Sequence, residues 1–213
     1  MLFRSTSMTY DSLLEDISTY AERDDQPFLD QRARFVMMAE NRLAKEVRGL
    51  GNMQFVVSTL SINDPVVAKP ARWRESVSFV ITLSNGDKKT LMPREYQYMK
   101  AFWADQASTG EPRFYSDYDF EHFYLAPTPD DDYTFELVYF DRPEPLSDEN
   151  QTNWYTQYAP DLLLYACLLE AQPFLKLDAR TAQFQSLYDR ALKMLANESM
   201  RRMSDNTQTR REG

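Results

Sequence analysis

The chain has 213 residues, 43% hydrophobic and 14% aromatic, with a net charge of −9 at pH 7. That length buries one core, or a helical body carrying a β insertion, and the acidic balance excludes non-specific nucleic-acid binding through the whole surface, because phosphate neutralisation needs a basic face. A single cysteine, Cys167, excludes an internal disulfide and a cysteine-based zinc site.

Residues Met1 to Tyr10 lack the continuous apolar core of a secretory leader. No apolar run approaches the ~20 residues that span a bilayer, so a soluble protein is expected. Tyr10 to Ala21 reads as a helix, with Leu13, Leu14, Ile17 and Tyr20 on one face and Asp11 or Ser12 as its N-cap. Pro27 opens a second helix that runs to about Gly49, with Leu29, Ala33, Val36, Leu43 and Val47 at helical spacing. Gly49 and Gly51 suit a left-handed exit from it.

The texture then changes. Met53 to Leu60 is short and β-branched, and Val77 to Leu83 alternates up to Ser84-Asn85-Gly86-Asp87. Asn-Gly between two strand-like runs is the strongest short-range hairpin signal, with Lys88 to Met92 as the return strand. A short helix from Pro93 towards Ala104 follows. Arg113–Tyr118, Phe120–Leu125 and Tyr133–Phe140 read as a three-stranded meander whose second hairpin has Asp130-Asp131-Asp132 at its tip. Pro143 and Pro145 close the β region. Trp154 to Leu175 is an apolar helix, and Ala179 to about Met203 a last one, with Phe184, Leu187, Tyr188, Ala191, Leu192 and Leu195 on its apolar face.

The expected fold is therefore α+β: a helical bundle, two N-terminal and two C-terminal helices, with an inserted antiparallel β module. Its expected parts are a helical region at 1–51, a β-rich insertion at 52–145, a helical region at 146–204 and a flexible basic tail at 205–213. Charge is unevenly spread. From Pro129 to Glu149 eight acids face Arg142 alone, whereas from Lys176 to Gly213 eight lysines and arginines face five acids. Such asymmetry gives the basic tail a partner of its own or leaves it as a solvated arm.

Catalytic constellations are hard to assemble. The one histidine, His122, lies in an expected strand as a rim residue, and no serine is marked as its nucleophile. Cys167 sits on an apolar helix, where a thiol behaves as a small hydrophobe. Asp130, Asp131 and Asp132 lack the alternating spacing of a calcium loop. The five glycines never cluster into a phosphate cradle. No enzyme activity, cofactor or metal is expected. Arg201, Arg202, Arg210 and Arg211, with Met203 beside the first pair, form the concentrated basic feature. They complement a helix C-terminus or make an arm that orders on another protein; nucleic-acid contact ranks third, since four arginines with no interleaved aromatics make a poor footprint. Trp154, Tyr155 and Tyr158 either anchor a subunit contact or are buried under the β module.

One ordered series of motifs carries a resemblance. It begins with Gly110-Glu111-Pro112-Arg113-Phe114-Tyr115 and Leu125-Ala126-Pro127-Thr128-Pro129-Asp130. It continues with Tyr133-Thr134-Phe135-Glu136-Leu137-Val138-Tyr139, Leu146-Ser147-Asp148 and Asn153-Trp154, and ends with Ala159-Pro160-Asp161-Leu162-Leu163-Leu164-Tyr165-Ala166 leading to Glu170-Ala171. Over roughly residues 93 to 190 the chain resembles the head-to-tail connector proteins of tailed bacteriophages, also called neck adaptors or head-completion proteins. The resemblance implies a structural virion protein at the neck, made in the host cytoplasm. It implies a ring, typically twelve-fold, between the portal protein and a tail or nozzle protein, with genome DNA passing through its channel without sequence-specific contact. It implies a C-terminal segment that reaches the portal, which makes Arg201, Arg202, Met203, Arg210 and Arg211 the candidate portal-binding residues; beside it, Asp130, Asp131 and Asp132 are expected to face the channel or the tail, and Trp154, Tyr155 and Tyr158 are candidates for the subunit interface. Free subunits are expected to be monomeric or weakly associated. Two other classes stay open: an acidic regulatory adaptor for a host protein, and a lysis enzyme that needs neither His nor Cys.

Overall fold

The structure, a computed structural model, describes residues 8–47, 53–105, 107–176 and 178–208. In chain order its elements begin with α1 (Tyr10–Ala21), α2 (Gln26–Leu29) and α3 (Arg32–Glu46). Then come β1 (Met53–Leu60), β2 (Val66–Ala68), β3 (Trp73–Thr82), β4 (Lys88–Thr90), β5 (Met92–Pro93) and α4 (Tyr96–Phe102). The series closes with β6 (Phe114–Asp117), β7 (His122–Ala126), β8 (Tyr133–Asp141), α5 (Trp154–Tyr158), α6 (Pro160–Leu175) and α7 (Asp178–Gln208). The chain divides into two compact units, residues 1–52 with 143–213 and residues 53–142. The first is helical and the second β-rich, so the protein is mixed α+β.

In the helical unit α6 is the central element. Ten of its 16 residues are buried, and it packs against α1, α3, α5 and α7. A helix apolar on all sides is stable only when neighbours cover all sides. Leu13 and Ile17 of α1, Val36, Ala39 and Leu43 of α3, and Phe184 and Tyr188 of α7 close over it.

Three boundaries depart from the sequence reading. Thr9, not Asp11 or Ser12, caps α1: its Oγ1 accepts from Ser12 N at 3.2 Å, and the Ser12 hydroxyl accepts from Thr9 N at 2.9 Å. The second helix is broken into α2 and α3 at Asp30–Gln31. Arg32 stabilises the break. Its Nε donates to the Leu29 carbonyl at 3.3 Å, which the broken ladder leaves open, and its Nη1 reaches across to Leu14 O of α1 at 2.9 Å. α3 ends at Glu46; the expected exit at Gly49 and Gly51 lies outside the described residues. The apolar segment from Trp154 is likewise two helices. Ala159 precedes Pro160, whose ring disfavours helical geometry there, and it takes φ −143° and ψ 49°. Pro160 then starts α6 at a position where its missing N–H costs nothing.

The β-rich unit is two four-stranded sheets, in the orders β1-β8-β3-β4 and β2-β7-β6-β5. All pairings are antiparallel except β5 with β6. Side chains from both sheets share one core. Phe79 of β3 is fully buried, with ring centroids 5.2 Å from Tyr115, 5.6 Å from Phe123 and 5.1 Å from Phe135. The Asn85-Gly86 hairpin forms as expected, with Gly86 at φ 86° and Leu83 N donating to Asp87 O at 2.8 Å. Its return strand is shorter than Lys88–Met92. After β4 the chain crosses at buried Leu91 into the second sheet as β5.

The meander is the main correction. β6 and β7 pair, but β8 lies between β1 and β3 in the other sheet. Asp130-Asp131-Asp132 is therefore the crossover between sheets, not a hairpin tip. Alternation reveals which side chains share a face but not which sheet a strand joins. β7 is also buried on both faces. Phe123 and Leu125 enter the shared core, while Tyr124 and Ala126 lie under α4 with Met99.

Candidate assembly surface

α7 has 31 residues, about 46 Å at 1.5 Å per residue, against 16 residues and about 24 Å for α6. Tyr188 of α7 is buried in the core; its hydroxyl donates to Glu46 Oε2 at 2.6 Å, and burial pushes its pKa above the ordinary phenol range. Ala191, Leu192 and Leu195 pack partly against the core. Between Leu192 and Leu195, Met194 is 66% exposed, and further along Met200 is 61% exposed.

A groove of about 500 Å³ runs between this part of α7 and the start of α6. Tyr158, Pro160 and Tyr165 line one wall, and Arg190, Met194 and Arg201 the other. Asp161 and Glu198 add acid to a rim that already carries arginine. The groove joins two of the expected sets of site residues, since Tyr158 comes from the aromatic trio and Arg201 from the basic segment. Arg202 and Met203 continue the helical backbone of α7, which runs on to Gln208, so residues 205–208 extend the helix where a flexible tail was expected. Arg210 and Arg211 lie outside the described residues.

The aromatic trio separates. Trp154 and Tyr158 are four residues apart, share a side of α5, and lie with their rings tilted by 33° and centroids 5.7 Å apart. Tyr158 is 64% exposed. Tyr155 points the other way and is 1% exposed within the helical core, which removes it as a surface anchor. It is buried among the helices of its own unit. Asn153 sets this orientation by capping α5: its side-chain oxygen accepts from Tyr155 N at 3.0 Å and Thr156 N at 3.3 Å.

The three aspartates are exposed, and each also serves the crossover. Asp130 Oδ1 accepts from the Tyr133 hydroxyl at 2.6 Å, Asp131 Oδ2 from the Ser84 hydroxyl at 3.2 Å, and Asp132 Oδ1 from Ile62 N at 2.8 Å. Burial, then the Asp130 bond, holds the Tyr133 hydroxyl protonated well above the ordinary phenol range. These carboxylates pin a turn as well as carrying charge.

The residues weighed for catalysis are placed as follows. His122 Nδ1 lies 3.1 Å from both Asp119 oxygens on the exposed β6–β7 connection. Cys167 is fully buried in α6, and burial pushes its thiol well above the usual range, with Glu40 adding to the rise. Among the described residues no helix is long and apolar enough to cross a membrane.

Sequence reasoning missed three residues that matter here. Met194 was legible only as one apolar residue on an amphipathic helix. Glu40 reads by type and spacing as a solvent-facing residue of α3, yet it accepts from Asn153 Nδ2 at 2.7 Å and from Leu146 N at 3.2 Å. Lys69 has a buried ammonium beside Trp73, 4.2 Å from its ring centroid, and paired with Asp117; no sequence pattern marks it.

Residues 8–211 match the family model described as SU10 adaptor protein. No curated protein matches the chain.

Proposed function

The chain belongs to the SU10 adaptor protein family, and is thus a bacteriophage adaptor and a structural partner of other virion proteins; on that premise we propose that it is the neck adaptor, a ring of identical copies between portal and tail. One observation carries the reading: in the C-terminal half of α7 Met194 and Met200 stay exposed, although Leu195 packs partly against the core, and Met194 and Arg201 line a groove with exposed Tyr158. Exposed methionines and tyrosine with an arginine rim are the composition of protein interfaces. In this reading the basic end of α7 seats on the portal protein. The ring, of about twelve copies by the resemblance, leaves a channel for DNA. The acid excess between Pro129 and Glu149 faces that channel or the tail protein, where fixed negative charge keeps the duplex from adhering. The protein acts through shape and contact and turns over no substrate.

The test is electron microscopy of the purified chain mixed with portal protein or portal-bearing capsids. Rings on the portal vertex are expected for the full chain. A chain ending at Met200 is expected to fold, with its helical circular dichroism lowered only by the part of α7 removed, residues 201–208, and to lose portal binding. Undiminished binding by that truncation would overturn the role of α7. Single particles with no ring in any mixture would overturn the adaptor reading itself.

A further inference from the structure

The two sheets have four edge strands, and three of them are blunted. β4 is three residues long and carries Lys88 and Lys89. β2 is three residues between Pro65 and the Lys69-Pro70 pair. β5 is two residues, one of them Pro93. Short length, lysine and proline are the devices by which edges avoid pairing with other chains. β1 has none of them. It is eight residues long, Met53-Gln54-Phe55-Val56-Val57-Ser58-Thr59-Leu60, with no charge and no proline. It pairs with β8 without a bulge along its whole length, and among the described residues no strand occupies its other side. On its outer face Phe55 is 60% exposed and Val57 54%.

We propose that β1 pairs with the β1 strand of a second copy of this chain, antiparallel and about a two-fold axis at Val56. The strand is complementary to itself in that register. Phe55 of one copy lies opposite Val57 of the other, twice over, an aromatic–β-branched pairing favoured across antiparallel strands. The contact is uncharged, so two copies that each carry −9 meet where no like charges are opposed. The other three edges of a second copy are blunted, which leaves its own β1 as the matching strand. A two-fold contact closes on itself and cannot repeat around a ring. The pair is therefore a form of the free chain before assembly, and it stands apart from the portal reading, since its test uses the chain alone.

Sedimentation equilibrium of the full chain across the micromolar range reads the association. The expected mass rises from 25.0 kDa to twice that value. F55K/V57K places charge on two exposed positions and is expected to stay at 25.0 kDa with unchanged circular dichroism. V56C puts a thiol at the axis, where it meets its own copy, and is expected to form a covalent dimer under mild oxidation; buried Cys167 does not compete. A wild-type chain that remains single at every concentration overturns the proposal, as does a dimer that F55K/V57K leaves intact. Species larger than a pair that the lysines abolish would replace two-fold pairing with a head-to-tail contact.

Discussion

Glu40 ties α3 to the chain returning from the β-rich segment, because Leu146 N donates to both its oxygens, at 3.2 and 3.3 Å, and Asn153 Nδ2 to one, at 2.7 Å. Burial outweighs these bonds and pushes its pKa from the ordinary 4.5 up to about 7. The folded chain thus binds this proton more tightly than the unfolded chain. The stabilisation is fully present below pH 4.5, is lost as pH rises from there to about 7, and changes no further above that. At ~1.4 kcal/mol for each tenfold change in proton affinity, the whole difference is about 3 kcal/mol. Water reaching a part-exposed carboxylate reduces it to about 2 kcal/mol.

Glu40→Gln removes the titration and keeps a carbonyl that can accept from Asn153 or Leu146 N. Near pH 5 the variant should match the wild type or fall slightly below it. At pH 8 it should be the more stable by about 1–2 kcal/mol, after allowing for a weaker neutral acceptor. Urea denaturation at pH 5 and pH 8 measures this, and hydrogen exchange of the α6 amides reports the helical unit by itself. Parallel stability curves for the two proteins between those pH values would refute the reasoning, because Glu40 would then not be the group whose protonation is linked to folding.

Two further outcomes follow from the same packing. Tyr155→Ala should cost about 3–5 kcal/mol, as expected for emptying a large buried site, whereas Tyr158→Ala should leave thermal stability within about 0.5 kcal/mol and weaken only assembly. Similar losses from the two in thermal melts would contradict the separation of the aromatic trio. For the aspartates, D130N/D131N/D132N retains the oxygen acceptors used by Tyr133, Ser84 and Ile62 N while removing three charges. It should form rings normally but lower phage titre through impaired DNA passage, and an unchanged titre would discard a channel or tail-facing role for these charges. Lysine reversal is a poorer test, because it also removes the bonds that pin the crossover.

Local chemistry was legible in the sequence wherever one segment sufficed to specify it. Helical spacing located α1 from Tyr10 to Ala21, and the Asn85-Gly86 pair located its hairpin. The ordered motifs from Gly110 to Ala171 pointed to a phage adaptor, which family membership bears out at that level. Partner choice between distant segments was not legible. β8 reads equally well beside β7 or between β1 and β3, because alternation is the same in either sheet. Only packing decided that Phe79, Phe123 and Phe135 share one core and so drew β8 across. Burial on both faces of β7 depended on α4 lying over Tyr124 and Ala126, and the inward turn of Tyr155 depended on a cap made by Asn153. Residue type specifies what a side chain can do; which neighbour it meets is set by the summed burial of the whole unit, which no single segment encodes.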